Sequence, residues 1–183
     1  RMTRGSFILI IGIILLAILG ASTAVLSQVA QGTVGWSTGY YAGWAQGSYP
    51  PSKIYWKAYT HMCHFSITPD GSSGAVKMDM GLSDQTCKNF VAEAKKNKVK
   101  TLICVGGAGT GKNFQAASAN ADTRAAFIKN IIAFMVKYGY DGVDMDWEEI
   151  DGKEAAYQAL HKELRIELDK ISPRPLLTVA MAG

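Results

Sequence analysis

Short runs of continuous apolar character alternate with amphipathic helical patterns along this chain, and that alternation leaves few architectures open. Lys100–Val105 (Lys-Thr-Leu-Ile-Cys-Val) and Gly142–Trp147 read as buried-type strands. Gly39–Trp44, Tyr59–Thr68 and Leu176–Met181 read the same way, the second closed by the turn signature Pro69-Asp70-Gly71. Between them, Ser83 is placed to cap a helix running to about Asn97, with Cys87, Phe90, Val91 and Ala94 on one face. Asp122 is placed to cap a second helix, which presents Phe127, Ile131, Phe134, Met135 and Tyr138 and ends at Gly139. A third carries Tyr157, Leu160, Leu164, Leu168 and Ile171 before Pro173 and Pro175 stop it. Apolar strands alternating with helices predict a parallel α/β sheet covered on its faces. An open doubly wound sheet and a closed eight-stranded barrel both satisfy the pattern. No GxGxxG fingerprint follows the first strand, and Gly106-Gly107-Ala108-Gly109 lacks the Lys-Ser/Thr ending of a phosphate loop, so a nucleotide-binding open sheet is disfavoured.

Ahead of this pattern, residues 1–30 form a separate unit. Arg1 and Arg4 precede an uncharged apolar stretch, Phe7–Leu26, whose end is crowded with Gly20, Ala21, Ser22, Thr23 and Ala24. A basic start, an apolar centre and small residues at the end make a secretory signal peptide, with cleavage after Ala24 or Ala30. An uncleaved membrane anchor is the alternative, because about 20 apolar residues span a bilayer. Either reading places the rest of the chain outside the cytoplasm, with membrane contact only through this segment. Residues 31–38 then read as a short linker. Arg1 and Arg4 supply two units of the formal net charge of +4, and the small remaining surplus is no nucleic-acid footprint. Cys63, Cys87 and Cys104 form one bridge at most, and read as buried apolar residues.

The chemistry concentrates in Asp141-Gly142-Val143-Asp144-Met145-Asp146-Trp147-Glu148-Glu149. Side chains alternate along a strand, so Asp144, Asp146 and Glu148 share one side while Val143, Met145 and Trp147 face a helix layer. Same-side neighbours sit about 6.6 Å apart, and their repulsion favours holding a proton in the row near neutral pH. A protonated carboxyl at the C-terminal end of a parallel strand is what general acid catalysis needs. A row of acids also suits a hard divalent cation, but no histidine or third segment stands nearby to complete such a site. His61 and His64 fall on opposite strand faces, which argues against a shared metal. No metal and no cofactor are expected. Trp44 and Trp56 are able to stack on sugar rings, although packing in the core or a loop is the expectation for each.

Asp141-Gly-Val-Asp-Met-Asp-Trp-Glu148 resembles the DGxDxDxE signature of glycoside hydrolase family 18, the chitinases and their relatives. Lys100-Thr-Leu-Ile-Cys-Val-Gly-Gly107 resembles the family's preceding strand, with Cys104 in place of a serine. Gly39-Tyr40-Tyr41, Thr60-His61-Met62 and Leu177-Thr178-Val179-Ala180 resemble its first, second and fifth strands. The resemblance covers about residues 37–183 and implies a (β/α)8 TIM barrel over 39–183. It implies that Glu148 donates a proton to the glycosidic oxygen, that Asp146 orients the substrate's 2-acetamido group, and that Asp144 stands behind Asp146 and shares its proton. The substrate's own N-acetyl oxygen is then the nucleophile, with net retention. Tyr40, Gly106, Gly107 and Asp141 are expected to contact substrate. Glu149-Ile150 departs from the aromatic and proline that often follow the acid, and Phe65 lies one place from the family's usual aromatic, so no role carries over to it. The implied protein is a secreted hydrolase of chitin or N-acetylglucosamine oligosaccharides. An endo-β-N-acetylglucosaminidase and a non-catalytic, lectin-like relative are the alternatives, and Glu148 favours an enzyme over the latter.

A barrel of this kind takes about 250 residues and eight strands, whereas about 150 residues with five strands follow the leader. The chain therefore reads as the N-terminal part of a longer enzyme, without the later tyrosine and tryptophan of the family's sugar site. With strand edges and apolar faces exposed, the 183-residue chain alone is expected to be poorly stable or to aggregate, and to turn over chitin oligomers little or not at all. Calorimetry and an oligosaccharide assay check this; cooperative unfolding with robust turnover contradicts it.

Overall fold

The computed structural model describes residues 35–180. The leader expected at residues 1–30, and the linker up to residue 34, lie outside them. The strands are β1 (Thr38–Ala42), β2 (His61–Asp70), β3 (Ala75–Met78), β4 (Lys100–Gly106), β5 (Gly142–Asp146) and β6 (Leu176–Val179). They form one sheet in the order β1-β2-β4-β5-β6, with β3 paired to β2 alone. All neighbours on the main path are parallel, and only β3 runs antiparallel. The five parallel strands are those expected from sequence. β3 was not anticipated; it turns back through Gly71–Ser73 and Gly74, which sits at φ 69°.

Four helices complete the described residues: α1 (Asp84–Lys96), α2 (Gly111–Ala117), α3 (Ala121–Tyr138) and α4 (Glu154–Leu168). Ser83 caps α1 as expected, and with Thr86 it forms a reciprocal capping box. The cap of α3 is Asn120, not Asp122: the Asn120 side chain accepts the Thr123 N–H at 3.0 Å, and Asp122 falls in the first helical turn. There its charge still opposes the positive end of the helix dipole. Gly139 ends α3 in the left-handed region at φ 75°. The unanticipated α2 begins on a glycine and lacks a side-chain cap, so its sequence carries little helical signal.

Period-two alternation divides the sheet into two unlike faces. Tyr41, Met62, Ile103, Val105, Val143 and Met145 point toward the helices and pack with Phe90, Phe127, Ile131, Leu160 and Leu164 in one core. Phe114 stacks on Trp147 with ring centroids 4.9 Å apart, carrying that core to the end of β5. On the other face, strand register sets Tyr40 beside Cys63, Cys63 beside Leu102, and Cys104 beside Asp144 beside Thr178. We call this the inner face.

His64 is fully buried on the helix side of β2, stacked on Phe90. Gln46 and the Tyr140 hydroxyl contact its two ring nitrogens at 3.1 and 2.7 Å. Burial, with no charged neighbour to offset it, holds its pKa down to about 3. Unfolding releases an imidazole that titrates near 6.5, so this contribution to stability is complete above pH 6.5 and is lost as pH falls toward 3. In the complete barrel, denaturant unfolding from pH 7 to 4 should show stability falling more steeply than in His64→Gln, by up to about 1.4 kcal/mol per pH unit below 6.5. Parallel pH curves for the two proteins contradict this.

Candidate active site

The carboxylate row lies where β5 ends. Asp144 is 2% exposed on the inner face. A carboxylate there needs donors, since an unpaired buried charge costs several kcal/mol. Two hydroxyls supply them. Tyr40 from β1 donates to Oδ2 at 2.7 Å, and Thr178 from β6 donates to Oδ1 at 2.5 Å. Burial and the adjacent carboxylate push the Tyr40 phenol up, which keeps it a donor. Burial, and then Asp144, likewise push the Cys63 and Cys104 thiols up. These cysteines are buried as expected and are free thiols, but they pack against the acid rather than in the helix-side core. Cys87 lies in that core.

Asp146 is one step nearer the strand end and 7% exposed. Burial, followed by the charges of Glu148, Asp144 and Glu149, pushes it up to about 6. The repulsion expected along the row is thus felt at Asp146. Glu148 follows β5 and is exposed. Gly106 and Gly107 sit at φ 116° and 113°, where only glycine is unstrained. A side chain at Gly106 would strike the Asp146 carbonyl, and one at Gly107 would come within 2.5 Å of the Phe65 ring. The Gly107 N–H donates to that same Asp146 carbonyl at 2.9 Å. These glycines let the loop after β4 close on the acid strand.

A cleft of about 400 Å³ opens at this end, lined by Tyr40, Ala42, Trp44, Phe65 and Asp146. Trp44 is 62% exposed, so the expectation of core or loop packing is corrected for it, whereas Trp56 is buried as expected. The reason is local: β1 stops at Ala42, and a 3-10 turn over Gly43–Gly47 carries Trp44 to the cleft. There Trp44 meets Phe65 edge to face, at 5.9 Å. Phe65 faces the cleft because it pairs in register with Ala42, a relation no single strand reveals. Thr178 was missed for the same reason.

Asp141 is not brought to the site. It lies ahead of β5, at the end remote from Glu148. Its carboxylate takes Lys100 Nζ at 2.7 Å and the Thr101 N–H at 2.9 Å, tying the starts of β4 and β5 together. The expectation that it contacts substrate is corrected to this structural role. A larger groove, of about 560 Å³, runs between α3 and α4; it lies on the helix side, away from the carboxylates. Among the described residues no helix is long and apolar enough to cross a membrane.

The acids gathered at the C-terminal end of β5 lie on the side where (β/α)8 barrels carry their active-site rim. The family model for glycosyl hydrolases family 18 matches residues 37–183, and the chain belongs to that family. A chitinase-like effector of Moniliophthora roreri is 33% identical over 72% of this chain and 32% of its own length. A class V chitinase of Medicago truncatula is 30% identical over 76% of this chain and 39% of its own. Among solved structures, the family 18 chitinase of Cycas revoluta in complex with (GlcNAc)3 superposes with a TM-score of 0.74 at 28% identity, covering 79% of this chain and 45% of that one. The chain thus spans about a third of the length of these curated relatives and less than half of that solved chain. The described residues hold part of the barrel, with five parallel strands on its main path.

The Asp146 carboxyl should titrate near pH 6, above the ordinary carboxylate range. Glu148→Gln removes one like charge beside it and should move that midpoint down. Carbon-13 NMR titration of the aspartate carboxyls in the complete barrel reads both values, and a midpoint unmoved by the substitution contradicts the assigned coupling.

Proposed function

We propose that this segment carries the acid-bearing part of a retaining chitinase, exported from the cytoplasm and acting on β-1,4-linked N-acetylglucosamine polymers with help from the substrate. The observation that carries the reading is the buried Asp144, held by Tyr40 and Thr178 behind an Asp146 that still binds a proton near pH 6, with Glu148 at the open rim. The complex of the Cycas revoluta enzyme with (GlcNAc)3 supports the substrate class, and the apolar stretch Phe7–Leu26 supports export.

In this reading the acetamido carbonyl oxygen attacks the anomeric carbon. The glycosidic bond breaks, its electron pair stays on the leaving oxygen, and Glu148 delivers a proton there. Asp146 turns the acetamido group toward the reacting carbon and balances the positive charge of the oxazolinium ring. Water then opens that ring, giving up a proton to Glu148, and the configuration is retained. Trp44 and Tyr40 offer faces for pyranose rings. A second reading, a sugar-binding protein without turnover, draws on the chitinase-like effectors among the relatives; the presence of Glu148 speaks for the enzyme.

In the complete barrel, Glu148→Gln should lower turnover of unactivated chitin oligomers by roughly 10²–10⁴-fold, the usual share of general acid catalysis, with binding largely kept. An aryl glycoside with a good leaving group should lose less. Turnover near wild type in Glu148→Gln sinks the acid assignment, and a wild-type barrel that binds oligomers without cleaving them favours the second reading.

A further inference from the structure

We propose that Glu149 is a positioning residue for Glu148: its carboxylate latches the segment just after β5 to the loop between β4 and α2, and so fixes the backbone that carries the neighbouring acid. The proposal rests on the hydrolase reading above and deepens it. Glu149 follows Glu148 directly, and its side chain reaches the loop after β4 while Glu148 stays exposed just beyond the end of β5. Glu149 Oε1 accepts the Gly109 N–H at 2.6 Å, and Oε2 accepts the Gly111 N–H at 2.9 Å. One donor on each oxygen holds the carboxylate at two points, and hydrogen bonds to an ionised acceptor are roughly twice as strong as neutral ones.

The rest of the segment is stitched in the same way. The Gly107 N–H donates to the Asp146 carbonyl at 2.9 Å, and the Trp147 indole N–H donates to the Glu149 carbonyl at 3.1 Å. The Ile150 N–H donates to the Glu148 carbonyl at 3.2 Å, and the Thr110 hydroxyl closes on the Gly107 carbonyl at 2.6 Å. Glu148 stands in the middle of this mesh. Among the described residues nothing hydrogen-bonds its carboxyl, so the backbone on either side sets its direction. The loop is shaped for the latch: a Cβ on Gly111 would lie 2.5 Å from Glu149 Oε2. With both oxygens occupied by backbone amides, Glu149 is not a second acid for the reaction. Its effect is on aim, and a misplacement of about 1 Å at a reacting group costs on the order of 10²-fold.

The test uses the complete barrel, with an unactivated N-acetylglucosamine oligomer and its 4-nitrophenyl glycoside as paired substrates. Glu149→Ala should lower kcat on the unactivated oligomer by about 10–100-fold, with KM changed less than about threefold. The nitrophenyl substrate, which needs little protonation, should lose less than about threefold. Glu149→Gln keeps the size and one accepting oxygen, guards against loss of folding, and should show the same selectivity at smaller amplitude. Gly111→Ala, which displaces the carboxylate from the other side, should reproduce the pattern and add little to Glu149→Ala. Equal losses on both substrates, no loss in Glu149→Ala, or additive effects of the two substitutions overturn the proposal. If Glu148→Gln is selectively impaired while the Glu149 variants are not, the proposal alone fails. A wild-type barrel that hydrolyses neither substrate overturns the hydrolase reading and the proposal with it.

Discussion

One buried carboxylate governs the arrangement of the sheet. Asp144 is ionisable, nearly inaccessible, and tolerable there only because each oxygen receives a hydroxyl. Those hydroxyls arrive from opposite margins of the parallel path, Tyr40 on β1 and Thr178 on β6. A slip of one residue in either strand would turn its hydroxyl to the helix side and strand the charge. The registers of β1 and β6 are therefore both tied to one carboxylate of β5, through two hydrogen bonds.

The two faces of the sheet divide the work. The helix side is a closely packed apolar core in which a histidine is kept neutral by burial. The inner side is more polar: two thiols, a tyrosine and a threonine lie around the acids, and glycines take the positions where the next loop must touch the acid strand. Substitutions on the helix side act first on stability, through lost packing. Those on the inner side act first on proton placement. Gln46 links the two, since it follows Trp44 in the turn after β1 and reaches His64 in the core.

The parts of this plan confined to one element were legible in the sequence. Alternation along residues 142–148 placed Asp144 and Asp146 together, Ser83 and Gly139 marked helix ends, and the five parallel strands followed from their apolar runs. What depended on pairing between elements was not. Phe65 and Thr178 owe their positions to register with Ala42 and Asp144, which neither strand's own pattern encodes. Asp141 was drawn to the site by its membership in a contiguous motif, yet a strand has two ends and it stands at the wrong one. Trp44 was misjudged because β1 ends two residues early. β3 escaped notice because four residues of mixed character carry almost no periodic signal.

That hairpin grows out of the strand that carries Phe65 into the cleft. β2 continues past Phe65 to Asp70, and β3 returns alongside it. Asn113 grips the Pro69 carbonyl from α2, and Asn130 grips the Gly74 carbonyl from α3. The hairpin beyond Phe65 is thus a pinned ribbon rather than a free loop. Backbone tied at both ends of a turn has little conformational entropy left to lose, and Phe65, at the base of this ribbon, is held in the cleft by a strand that is already ordered.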